Sequence, residues 1–123
     1  MEIKVKLSKE ASAALNQCMT TTDPKGRVEM RKHAHITRIL KKFCATSNEV
    51  MYNGVLQEFT RFKEGEMLFD DIDTFRFMKE CVDKRVEASA PAGMAEGYCD
   101  LDEAVGGVWD ELKKAEVKKE EKK

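Results

Sequence analysis

Residues 25–44 combine an apolar stripe with a strong local excess of positive charge. At about 100° per residue, four apolar side chains fall within one arc of about 100°, as the inward face of a helix requires; they are Ile36, Ile39, Leu40 and Phe43. Five cations share the opposite side: Arg27, Arg31, Arg38, Lys41 and Lys42. We therefore predict a helix that buries the stripe and presents these cations to solvent. Because Lys32 falls within the apolar arc, either the helix starts near Lys32 or that side chain lies along the surface with its ammonium in water.

Charge is unevenly distributed along the chain. From Lys25 to Lys42 there are seven lysines or arginines and one acid, whereas residues 46–80 carry eight acids and four bases. The formal net charge is only −1, although 37% of the residues are charged. A molecule with so little net charge has no overall field that draws it to nucleic acid or to a membrane. Only local patches can attract a charged partner.

A chain of 123 residues is long enough to bury a core without disulfides or metals. We expect one helical domain over residues 1–112, and a charged tail over residues 113–123 that is disordered or a frayed helix because this segment is almost free of apolar side chains. The four cysteines form no C-x-x-C pair, so we interpret them as small core residues in a reducing compartment; they are Cys18, Cys44, Cys81 and Cys99. Without a secretory signal pattern or a membrane-length apolar run, a cytoplasmic protein without membrane contact is expected.

The N-terminal segment alternates strictly between apolar and charged side chains, which is typical of a half-buried strand. Its apolar residues are Ile3, Val5 and Leu7. A strand needs a partner, and the candidates are the short apolar segments 67–69, 86–90 and 97–99. Ser8 then has the position of a helix N-cap, before apolar residues at helical spacing: Ala11, Ala14, Leu15 and Cys18.

Three further helices are predicted beyond the basic segment. Residues 46–49 have capping-box spacing, so a third helix is expected to begin there and to end at Gly65. Its apolar face would comprise Met51, Tyr52, Val55, Phe59 and Phe62. Acids at residues 70–73 and a second capping-box spacing at residues 100–103 predict two more helix starts. The fold class is therefore mainly α (α+β), with about five amphipathic helices around one core and the N-terminal strand in a small β element.

No pattern in the sequence indicates a metal, a cofactor or catalysis. On a helix, His33 and His35 point about 200° apart and cannot bind one ion; we expect His33 to pack at the edge of the apolar stripe and His35 to lie beside the cations. Asp70, Asp71 and Asp73 lack the glycine and glutamate of a calcium loop, and helix capping explains them. The chain has no P-loop, nucleophile elbow or Rossmann glycine pattern. We predict no cofactor, no metal and no enzymatic activity.

The concentrated cations favour a protein partner with an acidic surface, because they raise the local potential and attract anions. The predicted contact residues are Arg27, Arg31, His35, Arg38, Lys41 and Lys42, with Met94 from a Pro- and Gly-containing loop. Nucleic-acid binding through the same face is the alternative, although the face lacks the interleaved aromatics that stack on bases. The sequence is also compatible with a homo-oligomer.

The order of these features resembles that of small accessory proteins encoded by tailed bacterial viruses. The resemblance comprises a short charged strand, the turn Asp23-Pro24-Lys25-Gly26-Arg27, a basic helix and an acidic C-terminal half. It covers the general layout and includes no diagnostic motif. It implies an assembly helper, or an inhibitor or regulator of a host protein, and it transfers no functional residue.

Overall fold

The computed structural model describes residues 2–121, with side chains described as far as residue 115. Within this range the chain forms four α-helices, one 3-10 turn and two separate two-stranded antiparallel sheets, which confirms the α+β class but corrects the predicted number of helices from about five to four. In chain order the elements are β1 (Ile3–Leu7), α1 (Lys9–Thr20), α2 (Gly26–Phe43), β2 (Ala45–Tyr52), β3 (Val55–Phe62), β4 (Gly65–Phe69), α3 (Ile72–Ala88), a 3-10 turn (Ala92–Met94) and α4 (Ala95–Glu121).

The N-terminal strand forms as predicted. Strand β1 pairs with β4, which contains one of the three candidate partner segments, and Val5 lies opposite Met67. Residues 3, 5 and 7 are buried, whereas their charged neighbours are exposed. One face of this small sheet therefore contributes to the core.

Helices α1 and α2 also follow the sequence pattern. The Ser8 hydroxyl accepts a hydrogen bond from the Ala11 N–H and caps α1, as expected. Helix α2 begins at Gly26 rather than near Lys32, and Lys32 is half-buried along its side. The predicted apolar stripe of α2 faces inward, with Phe43 half-buried and three side chains fully packed: Ile36, Ile39 and Leu40.

The predicted third helix is wrong, because residues 45–62 form a β-hairpin from strands β2 and β3. The turn residues Asn53 and Gly54 have φ values of 51° and 77°. Two consecutive residues in the left-handed region produce the tight turn that matches the twist of paired strands, and Asn-Gly is its preferred sequence. The capping-box spacing at residues 46–49 is a weaker local signal than this turn, and the structure does not use it.

Helix α3 begins at Ile72, with Asp71 as its N-cap. Helix α4 begins at Ala95, five residues before the predicted start, and Asp100 accepts a hydrogen bond from the Ser8 hydroxyl at 3.0 Å. The backbone of α4 continues to Glu121, because lysine and glutamate favour helix and no breaker interrupts them. The predicted tail is therefore helical as far as that residue, and residues 122 and 123 lie outside the described range.

One apolar core joins β1, β4 and all four helices. The Phe75 ring lies edge-on to Phe69 at 5.6 Å and stacks on Trp109 at 6.2 Å. Three of the four free cysteines are buried as predicted, but Cys99 is exposed. In the range that the structure describes, no helix combines the length and hydrophobicity needed to cross a membrane.

Candidate interaction surfaces

The hairpin of β2 and β3, hereafter the arm, extends away from the core. Every residue from 46 to 61 is exposed. The seven strand residues from Thr46 to Tyr52 span roughly 20 Å from the first Cα to the last at the usual rise of an extended strand. Six large apolar side chains of the arm are about half exposed or more: Val50 (48%), Met51 (68%), Tyr52 (62%), Val55 (59%), Leu56 (59%) and Phe59 (50%).

The strand register divides these side chains between two faces. Residues directly opposite in an antiparallel pair point to the same side, and alternate residues point to opposite sides. The apolar face of the arm carries Val50, Tyr52, Val55 and Phe59. The other side, the acidic face, has Met51 opposite Leu56 near the turn, and Glu49 opposite Glu58 behind them.

The base of the arm is fixed to the core. The Lys63 N–H donates to the Cys44 carbonyl at 2.9 Å, and the Ser12 hydroxyl donates to the Lys63 carbonyl at 2.9 Å. Gly65 packs so closely on the Phe43 carbonyl that a side chain at this position would collide with the backbone. The arm therefore projects from a rigid base, although its own residues make few tertiary contacts.

The five predicted cations of α2, hereafter the basic face, are all exposed, as is His35 beside them. Among the residues with described side chains, the ion pairs within 4 Å involve other cations: Lys4, Arg76, Lys79 and Lys114. The Lys42 ammonium lies 5.2 Å from the centre of the Phe43 ring. The positive charge of this face is thus not neutralised by a carboxylate in the described part of the chain.

A shallow groove runs between the basic face and the start of α3. It encloses about 500 Å³ and is lined on the α2 side by Arg31, His35 and Arg38. Across the groove lie Asp71 and Thr74, but the Asp71 carboxylate already accepts hydrogen bonds from the Asp73 N–H and the Thr74 hydroxyl, both at 3.0 Å. These hydrogen bonds hold the Asp71 pKa below its ordinary value, and the bond from the Asp73 backbone N–H has the largest effect. The acid is committed to capping α3, as the sequence predicts, rather than to pairing with the arginines.

The packed histidine His33 and the predicted contact residue Met94 are both partly buried. The His33 Nε2 lies 2.6 Å from the Met19 carbonyl, which it can contact as a donor, so His33 packs between α1 and α2 as expected. Met94 lies on the 3-10 turn and packs partly against the core. Its side chain is consequently not the free apolar group of a mobile loop, and the structure does not join it to the basic face.

A second depression lies between the α1–α2 turn and α3. Its lining carries both signs of charge, with Asp23, Glu29 and Glu80 beside Lys25 and Lys84. The depression therefore does not favour a ligand of either charge. In the described range, no three His, Cys, Asp or Glu side chains lie close enough together to hold a metal ion.

The cations of α2 are exposed as the sequence predicts, whereas the arm lies where the sequence predicted a helix. The signal that identifies it is the Asn53-Gly54 pair, the preferred sequence of a tight hairpin turn, between two segments that contain β-branched and aromatic residues. Comparison of the chain with protein-family models, with curated proteins and with solved structures finds no match in any of the three.

Proposed function

We propose that this chain is a non-catalytic protein-binding module that contacts its partners through the arm and the basic face. The observation that carries the proposal is the exposure of every residue from 46 to 61, although six of these side chains are large and apolar. A two-stranded hairpin alone is marginally stable in water. Contiguous exposed apolar surface is typical of protein contact sites. A partner that covers the arm removes its apolar surface from water and holds the strands together.

The backbone of the arm supports the same function. The sheet contains only β2 and β3 within the described residues, so each strand has an edge without a strand partner. Such an edge presents N–H and C=O groups to which an extended segment of another protein can bind. The unneutralised basic face supplies a second contact, for an acidic surface. The more specific roles of assembly helper or inhibitor of a host protein stay predictions.

Site-specific cross-linking in the cell that makes the protein tests the arm. A photoreactive phenylalanine analogue in place of Phe59 is expected to give covalent protein adducts, because Phe59 lies on the apolar face. The same analogue in place of Glu103, which is exposed on α4, is the control and should give none. Adducts from both positions, or from neither, would count against the arm as the contact surface.

Substitutions distinguish a specific contact of the arm from nonspecific hydrophobic association. Tyr52→Ser should remove most of the adducts formed at residue 59, because an aromatic side chain in an interface is often among the few that dominate its affinity. Val86→Ser is the matched control, since Val86 is also an exposed apolar residue (39%) but lies on α3. Equal loss with both variants would contradict recognition by the arm.

Nucleic-acid binding through the basic face is the second candidate, favoured by five exposed cations that have no carboxylate within 4 Å among the described side chains. It requires an affinity that falls steeply with salt. In a mobility-shift assay at low salt, Arg31→Glu combined with Arg38→Glu should abolish the complex, whereas Phe59→Ser should not change it. Absence of any complex at low salt would eliminate this candidate.

A further inference from the structure

We propose that the basic face binds the acidic face of the arm of a second copy of this chain, so that two copies exchange arms in a symmetric dimer. This inference rests on the proposed function, because it names the partner of one of its surfaces. It begins with Glu49 and Glu58, which lie directly opposite each other on the arm. Carboxylates in such a pair are close enough to repel each other.

No cation on the acidic face offsets this repulsion between the two glutamates. The other residues of the acidic face are Ser47, Met51, Leu56 and Thr60, together with two residues at the base of the hairpin, and none of them is a cation. Arg61 lies opposite Thr46, on the other side of the hairpin. Neither glutamate has a cation within 4 Å among the described side chains. The acidic face is therefore complementary to a positively charged surface that does not belong to the arm.

The basic face has the complementary composition. Its arginines and lysines lack carboxylate partners in the described range, and two exposed apolar side chains flank them near the start of α2, Val28 (65%) and Met30 (57%). The acidic face likewise combines charge with two apolar residues, Met51 (68%) and Leu56 (59%). Pairing these surfaces joins opposite charges and removes apolar area from water in one contact.

The contact has to form between molecules. Only Cys44 separates the end of α2 from the start of β2, all residues from 46 to 61 remain exposed, and neither glutamate of the arm lies within 4 Å of a described cation, so the acidic face does not cover its own basic face. Each copy offers one arm and one basic face. A twofold axis lets both pairs form at once, which closes the assembly at two copies.

The two surfaces have the size of a small, reversible dimer interface. Each copy contributes six exposed residues of the acidic face and eight of α2, namely the five cations of the basic face, Val28, Met30 and His35. These are fewer than the roughly 20–30 residues per side of a standard interface. With a formal net charge of −1 per chain, no large overall repulsion opposes association. The apolar face of each arm points the other way, where a further protein can contact it.

Paired charge reversals test the exchange by sedimentation velocity at micromolar concentration. One variant combines Glu49→Lys with Glu58→Lys, and the other combines Arg31→Glu with Arg38→Glu. All four positions are exposed, so both variants should fold, as circular dichroism can verify. The wild type should be a dimer, and each variant alone should dissociate at least about a hundredfold more readily, because both contacts then join like charges.

An equimolar mixture of the two variants should form a heterodimer, since its contacts pair Lys with Glu and Glu with Arg. The matched control combines Glu96→Lys with Glu103→Lys on α4, which changes net charge equally and should leave the dimer intact. A monomeric wild type, a variant that stays dimeric, a mixture that stays monomeric or a control that dissociates would each overturn the arm exchange.

The cross-linking experiment distinguishes this failure from failure of the proposed function. Two cross-linked 14.0 kDa chains would give an adduct of 28 kDa. If the wild type is monomeric but the analogue at position 59 still gives adducts of other masses, the assignment of a second copy as partner is wrong and the arm stays a contact surface for another protein. If the analogue gives no adduct and the wild type is monomeric, both proposals are wrong.

Discussion

Gly97 of α4 lies against the backbone of Glu10 in α1: a Cβ at position 97 would be 2.5 Å from the Glu10 carbonyl oxygen. The same Cβ would lie 3.3 Å from the Ala14 Cβ. Nearby, the Tyr98 hydroxyl donates to the Gln17 Oε1 at 2.6 Å. The absence of a side chain at residue 97 therefore sets how closely α1 and α4 pack.

Gly97→Ala should destabilise the chain by about 1–3 kcal/mol, because the new methyl group meets backbone that cannot rotate away. Gly107→Ala in the same helix is the matched control: nothing lies within 4 Å of its Cβ position, and alanine favours helix by about 1 kcal/mol over glycine. Urea unfolding of both variants measures the difference. If Gly97→Ala is as stable as Gly107→Ala, the close packing of α1 and α4 is wrong.

Gly54→Ala should loosen the arm without unfolding the core. Its φ of 77° lies in the left-handed region, where a side chain costs about 1–2 kcal/mol. Amide hydrogen exchange should accelerate at least about fivefold in β2 and β3, with the midpoint of global unfolding unchanged because residues 46–61 lie outside the core. Asn53→Gly keeps both turn conformations accessible and is the control. Faster exchange throughout the chain would contradict an arm that opens independently.

Asp71→Ala should cost about 1 kcal/mol of stability, because it removes the hydrogen bonds that cap α3. Asp70→Ala, next to it, should cost less than about 0.5 kcal/mol, as usual for an exposed position without such a role. The Asp71 pKa is lowered by the backbone N–H of Asp73. Its contribution is therefore present above the ordinary pKa of 3.8 and is lost as the pH falls through the folded value. Equal unfolding free energies for the two variants at pH 7 would refute the cap.

The thiols should react in two classes. Cys99 is exposed, whereas Cys18, Cys44 and Cys81 are buried. Titration of the folded chain with a thiol reagent should modify one cysteine quickly and three only after unfolding, and Cys99→Ser should abolish the fast phase. A second fast-reacting thiol in the folded wild type would show that the core opens around another cysteine.

Burial also raises the pKa of the Cys18 thiol from 9.0 to about 11. Because the folded chain then holds a proton that the unfolded chain releases, this group's contribution to stability is complete below pH 9 and decreases as the pH rises towards 11. In Cys18→Ala, the free energy of unfolding should decrease less steeply between pH 9 and about pH 11 than in the wild type. Urea unfolding at a series of pH values measures it, and an unchanged slope would mean that Cys18 is not titrating as proposed.

The sequence alone determined the parts of the fold in which one local pattern has no competitor. The alternation of Ile3, Val5 and Leu7 identified β1, and the spacing of Ile36, Ile39 and Leu40 identified the inward face of α2. Each pattern fixes both the element and its buried side, since an apolar stripe of that period is stable only against a core. The exposed cations of α2 followed from the same geometry.

Tertiary structure decided the role of residues 45–62. At helical spacing their apolar side chains would share one face, and the capping-box spacing is also consistent with a helix. The Asn53-Gly54 turn instead pairs the two halves of the segment as antiparallel strands. Whether Tyr52 and Phe59 are buried then depends on whether another element covers the hairpin, and in the described part of the chain none does. The local pattern shows which residues are apolar, whereas only the packing of the whole chain shows which of them remain exposed to water.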